Sequence, residues 1–172
     1  MWVKLAGSIL VIAASTAIGF RLAAEFEERP RQIRHLQGML TGLKAFINFS
    51  ARPLPEALRQ IASGRKGPVA EMFLRTGELL GRSGENTEQA LAAARMGLAK
   101  QLALARPEAE VLEQLFAVLG KTNRREQEKC LDLAINQLQE IEQEAAAERE
   151  KHTKVCRYLG VCGGLAIVIV LI

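Results

Sequence analysis

Gly120-Lys121-Thr122 carries the closing residues of a phosphate-binding loop, in which backbone amides and a lysine cradle a nucleotide. Such a loop needs a second glycine five positions earlier, preceded by a strand, and Leu115 stands there. The triplet therefore reads as the end of one helix followed by the cap of the next. His35 and His152 are lone histidines among basic residues, outside any metal-ligand pattern, and read as solvated or packed. Cys130, Cys156 and Cys162 match neither a zinc motif nor a disulfide framework and are expected to be reduced, packed thiols. Asp132 is the only aspartate, there is no Gly-x-Ser-x-Gly, and the many glutamates read as solvated helix faces, some paired with Lys or Arg four residues away. No catalytic residue, metal site or cofactor is expected, and the chain reads as a non-enzyme.

The remaining distinctive residues are suited to contact. Gly160 and Gly164, like Ser15 and Gly19, are small residues four apart in apolar stretches, the spacing that lets helices approach closely in lipid. Gly38 and Gly42 repeat the spacing in a polar helix. Each interior glycine costs up to about 1 kcal/mol relative to Ala, so close helix packing is the expected compensation. Arg29, Arg31 and Arg34 form a basic cluster with two readings: it sets membrane orientation, or it meets an acidic surface on a partner.

The elements that hold these residues follow from where the charge lies. The chain is 49% hydrophobic and 24% charged with a net charge of +4, yet Leu5–Phe20 and Tyr158–Ile172 contain no charged side chain. All 19 acidic residues fall between Glu25 and Glu150. As a helix the 18 residues from Val3 to Phe20 rise about 27 Å, just enough to span a bilayer. The C-terminal run reaches a similar length if Arg157 snorkels. Basic residues flank both runs on their inner sides: Arg21, Arg29, Arg31 and Arg34 after the first, Lys151, Lys154 and Arg157 before the second. Both flanks predict one topology, with residues 1–20 and 158–172 as transmembrane helices, residues 21–157 in the cytoplasm and both termini outside it. The competing reading of the first run is a signal peptide cleaved after Ala17.

Between the spans the sequence predicts an all-α, antiparallel helical bundle. Pro30 opens a helix in which Ile33, Leu36, Leu40, Leu43 and Ile47 recur at spacings of 3 and 4, an apolar stripe running to about Phe49. Pro53-Leu54-Pro55 starts a short helix to Ala62, and a second runs from Val69 to Leu80. Asn86 with Gln89 resembles a capping box for a helix to about Ala105, and Pro107 opens the next, which Gly120 ends. Asn123 with Glu126 repeats the cap. Leu131, Ala134, Leu138, Ile141 and Ala145 then form a second stripe on a helix that nothing breaks before the C-terminal span.

Several motifs together resemble the stage III sporulation protein AB family of endospore-forming bacteria. They are the opening Lys4-Leu5-x-Gly7 with Ile18-Gly19-Phe20, the run Glu28-Arg29-Pro30-Arg31-Gln32-Ile33-Arg34, Pro53-Leu54-x-Glu56-Ala57-Leu58, Leu119-Gly120 with Gln127, and Arg157-Tyr158-Leu159-Gly160-Val161 with Gly163-Gly164. The resemblance implies a scaffold in the transenvelope, secretion-like complex that the mother cell builds around the forespore, set in the outer forespore membrane. Members look like the inner-membrane platform proteins of type II secretion and type IV pilus systems, whose helical domains dock a secretion ATPase. On that reading Arg29, Arg31, Gln32, Arg34, Gly120 and Gln127 are the candidate partner-binding residues, other membrane subunits contact the spans, and no small-molecule substrate is involved. Two other classes stand beside it: an exported helical adaptor released by signal cleavage, and a membrane-tethered nucleic-acid binder using Arg29, Arg31 and Arg34.

Overall fold

The structure, a computed structural model, describes residues 28–50, 52–83 and 86–171, with residues 151–171 as backbone only. The described residues form helices and no strand: α1 over residues 28–49, α2 Leu54–Ala62, α3 Pro68–Ser83, α4 Thr87–Gly97, α5 Arg106–Val118 and α6 Arg124–Leu171. The all-helical expectation holds. Among the described residues no helix is long and apolar enough to cross a membrane. The expected spans, 1–20 and 158–172, lie outside the residues whose side chains are described, and with them Ser15, Gly19 and the surroundings of Gly160 and Gly164.

The chain divides into two units, Arg31–Gln143 and the two ends, Met1–Pro30 with Glu144–Ile172. Within the first unit, the apolar stripe of α1 becomes core: Ile33, Leu36, Leu40 and Leu43 are fully buried, joined by Met39. Leu131, Ala134 and Leu138 of α6 are buried too, because residues three and four apart share a helix face. Polar pairs set the seam between these helices. Arg34 meets Glu142 at 3.2 Å, Gln37 Nε2 donates to the Leu138 carbonyl at 3.0 Å, and Asn48 Nδ2 donates to Glu128 Oε1 at 3.0 Å. Lys44 Nζ donates to both Asp132 carboxylate oxygens at 2.7 and 2.8 Å. That hydrogen bond holds the Lys44 pKa above its usual value, with the charges of Asp132 and Glu128 adding to it and burial opposing. Partner numbers on α6 fall as those on α1 rise, so the two helices are antiparallel. Exposed pairs of this kind fix register more than they add stability. In the other unit Arg29 Nη1 lies 3.4 Å from Glu148 Oε2.

α2 packs on α3, α3 on α4 and α4 on α5. Phe73 of α3 and Phe116 of α5, both fully buried, meet edge to face with centroids 6.1 Å apart. At α4 the expected capping box is corrected: Asn86 is the N-cap residue but its side chain makes no capping bond. The Thr87 hydroxyl instead donates to the Phe116 carbonyl at 2.7 Å, tying the start of α4 to the end of α5. At α6 the cap is as expected, with the Glu126 N–H donating to Asn123 Oδ1 at 3.0 Å. α4 also ends at Gly97, not near Ala105. The chain leaves the helix there because Leu98 is buried and the following segment is held by Gln32: its Nε2 donates to the Gln101 carbonyl at 3.1 Å, and its Oε1 accepts from the Ala103 N–H at 2.8 Å.

Close backbone packing occurs at a different glycine from those expected. A methyl on Gly38 would lie 3.6 Å from Arg65 Nη1, and one on Gly42 would lie 3.8 Å from Ile61 Cγ2, both ordinary contact distances. At Gly77 of α3 a methyl would lie 2.9 Å from the Pro55 carbonyl oxygen and 3.2 Å from Leu58 Cβ. Backbone of α2 cannot yield as a flexible side chain would. Gly77→Ala is therefore expected to destabilise by about 1–3 kcal/mol through overpacking, whereas Gly42→Ala should stabilise by up to about 1 kcal/mol through helix propensity. Urea unfolding of a fragment of residues 30–150 measures both, and a stabilised Gly77→Ala would show that α2 and α3 stand further apart.

Candidate docking surface

The end of the Arg31–Gln143 unit opposite the Arg34–Glu142 pair is built from two helix connections. Between α1 and α2, Arg52 precedes Pro53 and stands outside any helix, since a residue before proline is disfavoured in the helical region. Pro53 then caps α2 with extended geometry, φ −65° and ψ 151°. α5 ends at Gly120, whose φ of +84° is a left-handed conformation that only glycine adopts without strain. Gly120-Lys121-Thr122 is thus a turn between two helices. Gln127 Nε2 donates to the Thr122 carbonyl at 3.0 Å and braces the turn against the start of α6.

These connections leave a cleft of about 390 Å³ with Ile47 and Leu54 as apolar wall, Gly120 and Gln127 on the turn side, and the arginines Arg52 and Arg124 at its rim. Among the described residues no acidic side chain lines it. Among the described residues neither Arg52 nor Arg124 has a hydrogen-bonding or ionic partner. Phe49, in the last turn of α1, is 92% exposed. Arg124 and Arg125 occupy the first turn of α6, where the helix dipole is positive and each cation costs about 0.3–1 kcal/mol. Glu126 offsets part of this. A second cleft, of about 480 Å³ beside α4 and α5, differs in that its arginines already face carboxylates: Arg95–Glu113 at 2.7 Å and Arg106–Glu110 at 2.8 Å. The first cleft has charge left over for a partner.

The residues expected to bind a partner fall at both ends of the domain. Gly120 and Gln127 come together in the cleft. Arg29 and Arg34 face Glu148 and Glu142 of their own chain, and Arg31 is exposed. Gln32 is 6% exposed, with both ends of its amide engaged by backbone. Cys130 is a half-buried free thiol. Phe49, Arg52 and Arg124 are not among the partner-binding residues that the sequence motifs imply. Their one local signal was the basic pair Arg124-Arg125 directly after the Asn123 cap, where acids are the favourable choice.

The family signature of stage III sporulation protein AB matches residues 4–172, nearly the whole chain. The chain belongs to the stage III sporulation protein AB family. Stage III sporulation protein AB of Bacillus subtilis (strain 168) is 33% identical over 168 residues, which cover 98% of each chain. A solved structure of a stage III sporulation protein AB is 32% identical with a TM-score of 0.66, over 72% of this chain and 98% of that one. The family resemblance carried by the sequence motifs is thus established, and the helical domain is shared at the level of the fold.

Proposed function

We propose that this stage III sporulation protein AB family member is a non-enzymatic membrane scaffold of the secretion-like complex between mother cell and forespore. Its helical domain lies in the cytoplasm and docks the ATPase of that complex, and residues 1–20 and 158–172 cross the outer forespore membrane and contact other membrane subunits. Family membership supports the process. The observation that carries the arrangement is the antiparallel pairing of α1 with α6: the Arg34–Glu142 contact holds the first and last helices of the Arg31–Gln143 unit together at one end. The cleft lies at the opposite end of the same unit.

The topology is tested by fusing reporters to Ile172 in the full chain. Alkaline phosphatase should be active there and green fluorescent protein dark. A fluorescent fusion with inactive phosphatase would place the C-terminus in the cytoplasm and overturn the two-span arrangement.

A further inference from the structure

The cleft allows the partner's chemistry to be named. Its rim carries two guanidinium groups without carboxylate partners among the described residues, its wall is aliphatic, and an aromatic ring stands almost fully in solvent on the adjoining turn. At about 390 Å³ it lies low in the range of about 300–1,000 Å³ typical of ligand sites, which suits a few side chains of an inserted segment. The start of α6 adds its own positive end to Arg124 and Arg125.

We propose that this cleft receives a segment of a cytoplasmic protein in which a bulky apolar side chain stands beside Asp or Glu, the carboxylate between Arg52 and Arg124 and the apolar group against Ile47, Leu54 and Phe49. Arginine suits the role because its planar fork grips a carboxylate at two points. Three other occupants fit less well. A second copy docked symmetrically would set arginine against arginine. Nucleic acid calls for a stripe of bases along a backbone, and the first turns of α2 and α6 expose Glu56 and Glu126 beside this site. A lipid surface is met by the apolar ends in the scaffold reading, which leaves it the poorer occupant of a cleft in the cytoplasmic domain. The proposal rests on the scaffold reading for the partner's location but names a site that the reading does not contain.

The test uses the full chain in sporulating cells of the source organism, with a photoreactive phenylalanine analogue at position 49. Illumination should join it to one cytoplasmic protein, through a peptide containing Asp or Glu. Arg52→Glu with Arg124→Glu should lower the adduct at least tenfold at equal membrane levels, Arg52→Lys with Arg124→Lys should lower it less, and reversing the partner's acid to Arg should bring the double Glu variant back to at least half the wild-type yield. Rescue by the swap shows that the variant is folded. An adduct insensitive to the Glu pair, an adduct with a second copy or a lipid, or no protein adduct would overturn the cleft. The scaffold reading is judged separately, by spore counts in a strain lacking the gene: normal sporulation defeats that reading whatever the adduct shows.

Discussion

Phe116→Ala is expected to destabilise the fragment of residues 30–150 by about 3–5 kcal/mol, the range for removing a fully buried aromatic ring. The ring is lost from an edge-to-face pair with Phe73, and the hole opens between α3 and α5. Collapse to fill it is limited, because the Phe116 carbonyl anchors Thr87 and so fixes the end of α5 against α4. A domain of ordinary stability has about 5–15 kcal/mol in total, so the variant should unfold at much lower urea. Phe116→Leu, which keeps most of the volume, should cost less. Loss of under about 1 kcal/mol in Phe116→Ala would mean that α5 is not seated on the core.

Gln32→Leu has the next largest expected effect, about 2–4 kcal/mol, from two backbone groups deprived of partners at about 1–3 kcal/mol each. The Ala103 N–H and the Gln101 carbonyl lie in the segment between α4 and α5, where no helix satisfies them. Gln32→Glu separates the two contacts: Oε1 still accepts from Ala103, but the donor to Gln101 is gone and an acceptor oxygen faces an acceptor. It should therefore destabilise although the shape is unchanged. Urea midpoints report the total, and amide exchange at Ala103 should accelerate in Gln32→Leu. Unaltered midpoints in both variants, combined with weaker recovery of a partner, would return Gln32 to the docking role that its motif first suggested.

The helices themselves were legible. The 3-4 spacing of Ile33 to Ile47 and of Leu131 to Ala145, with breaks at Pro, Gly and Asn, is a local pattern, and apolar faces of that kind have to be buried wherever the chain goes. Most of both stripes became core for that reason, with Ile47 and Ile141 left part-buried. Boundaries were less legible. α4 keeps helix-forming residues past Gly97, yet the chain leaves the helix, and a glutamine 69 residues upstream of Gln101 supplies hydrogen bonds to the non-helical backbone that follows. Propensity differences of a few tenths of a kcal/mol per residue yield to such contacts.

What the sequence determined alone is the all-helical class, the two apolar faces that form the core, the apolar ends and their basic flanks, and through its motifs the family. Each of these depends on residues near one another in the chain. Tertiary structure decided which partners those faces met: Lys44 with Asp132, 88 residues away, Gly77 rather than Gly38 or Gly42 as the point of close approach, and Gln32 as an internal clamp. It also carried Arg52 and Arg124 to one cleft with Gly120 and Gln127. The physical reason is that a side chain's type fixes what it can bond to, while its neighbours are set by how helices pack, and the contacts that distinguish a spent arginine from an available one lie across the fold.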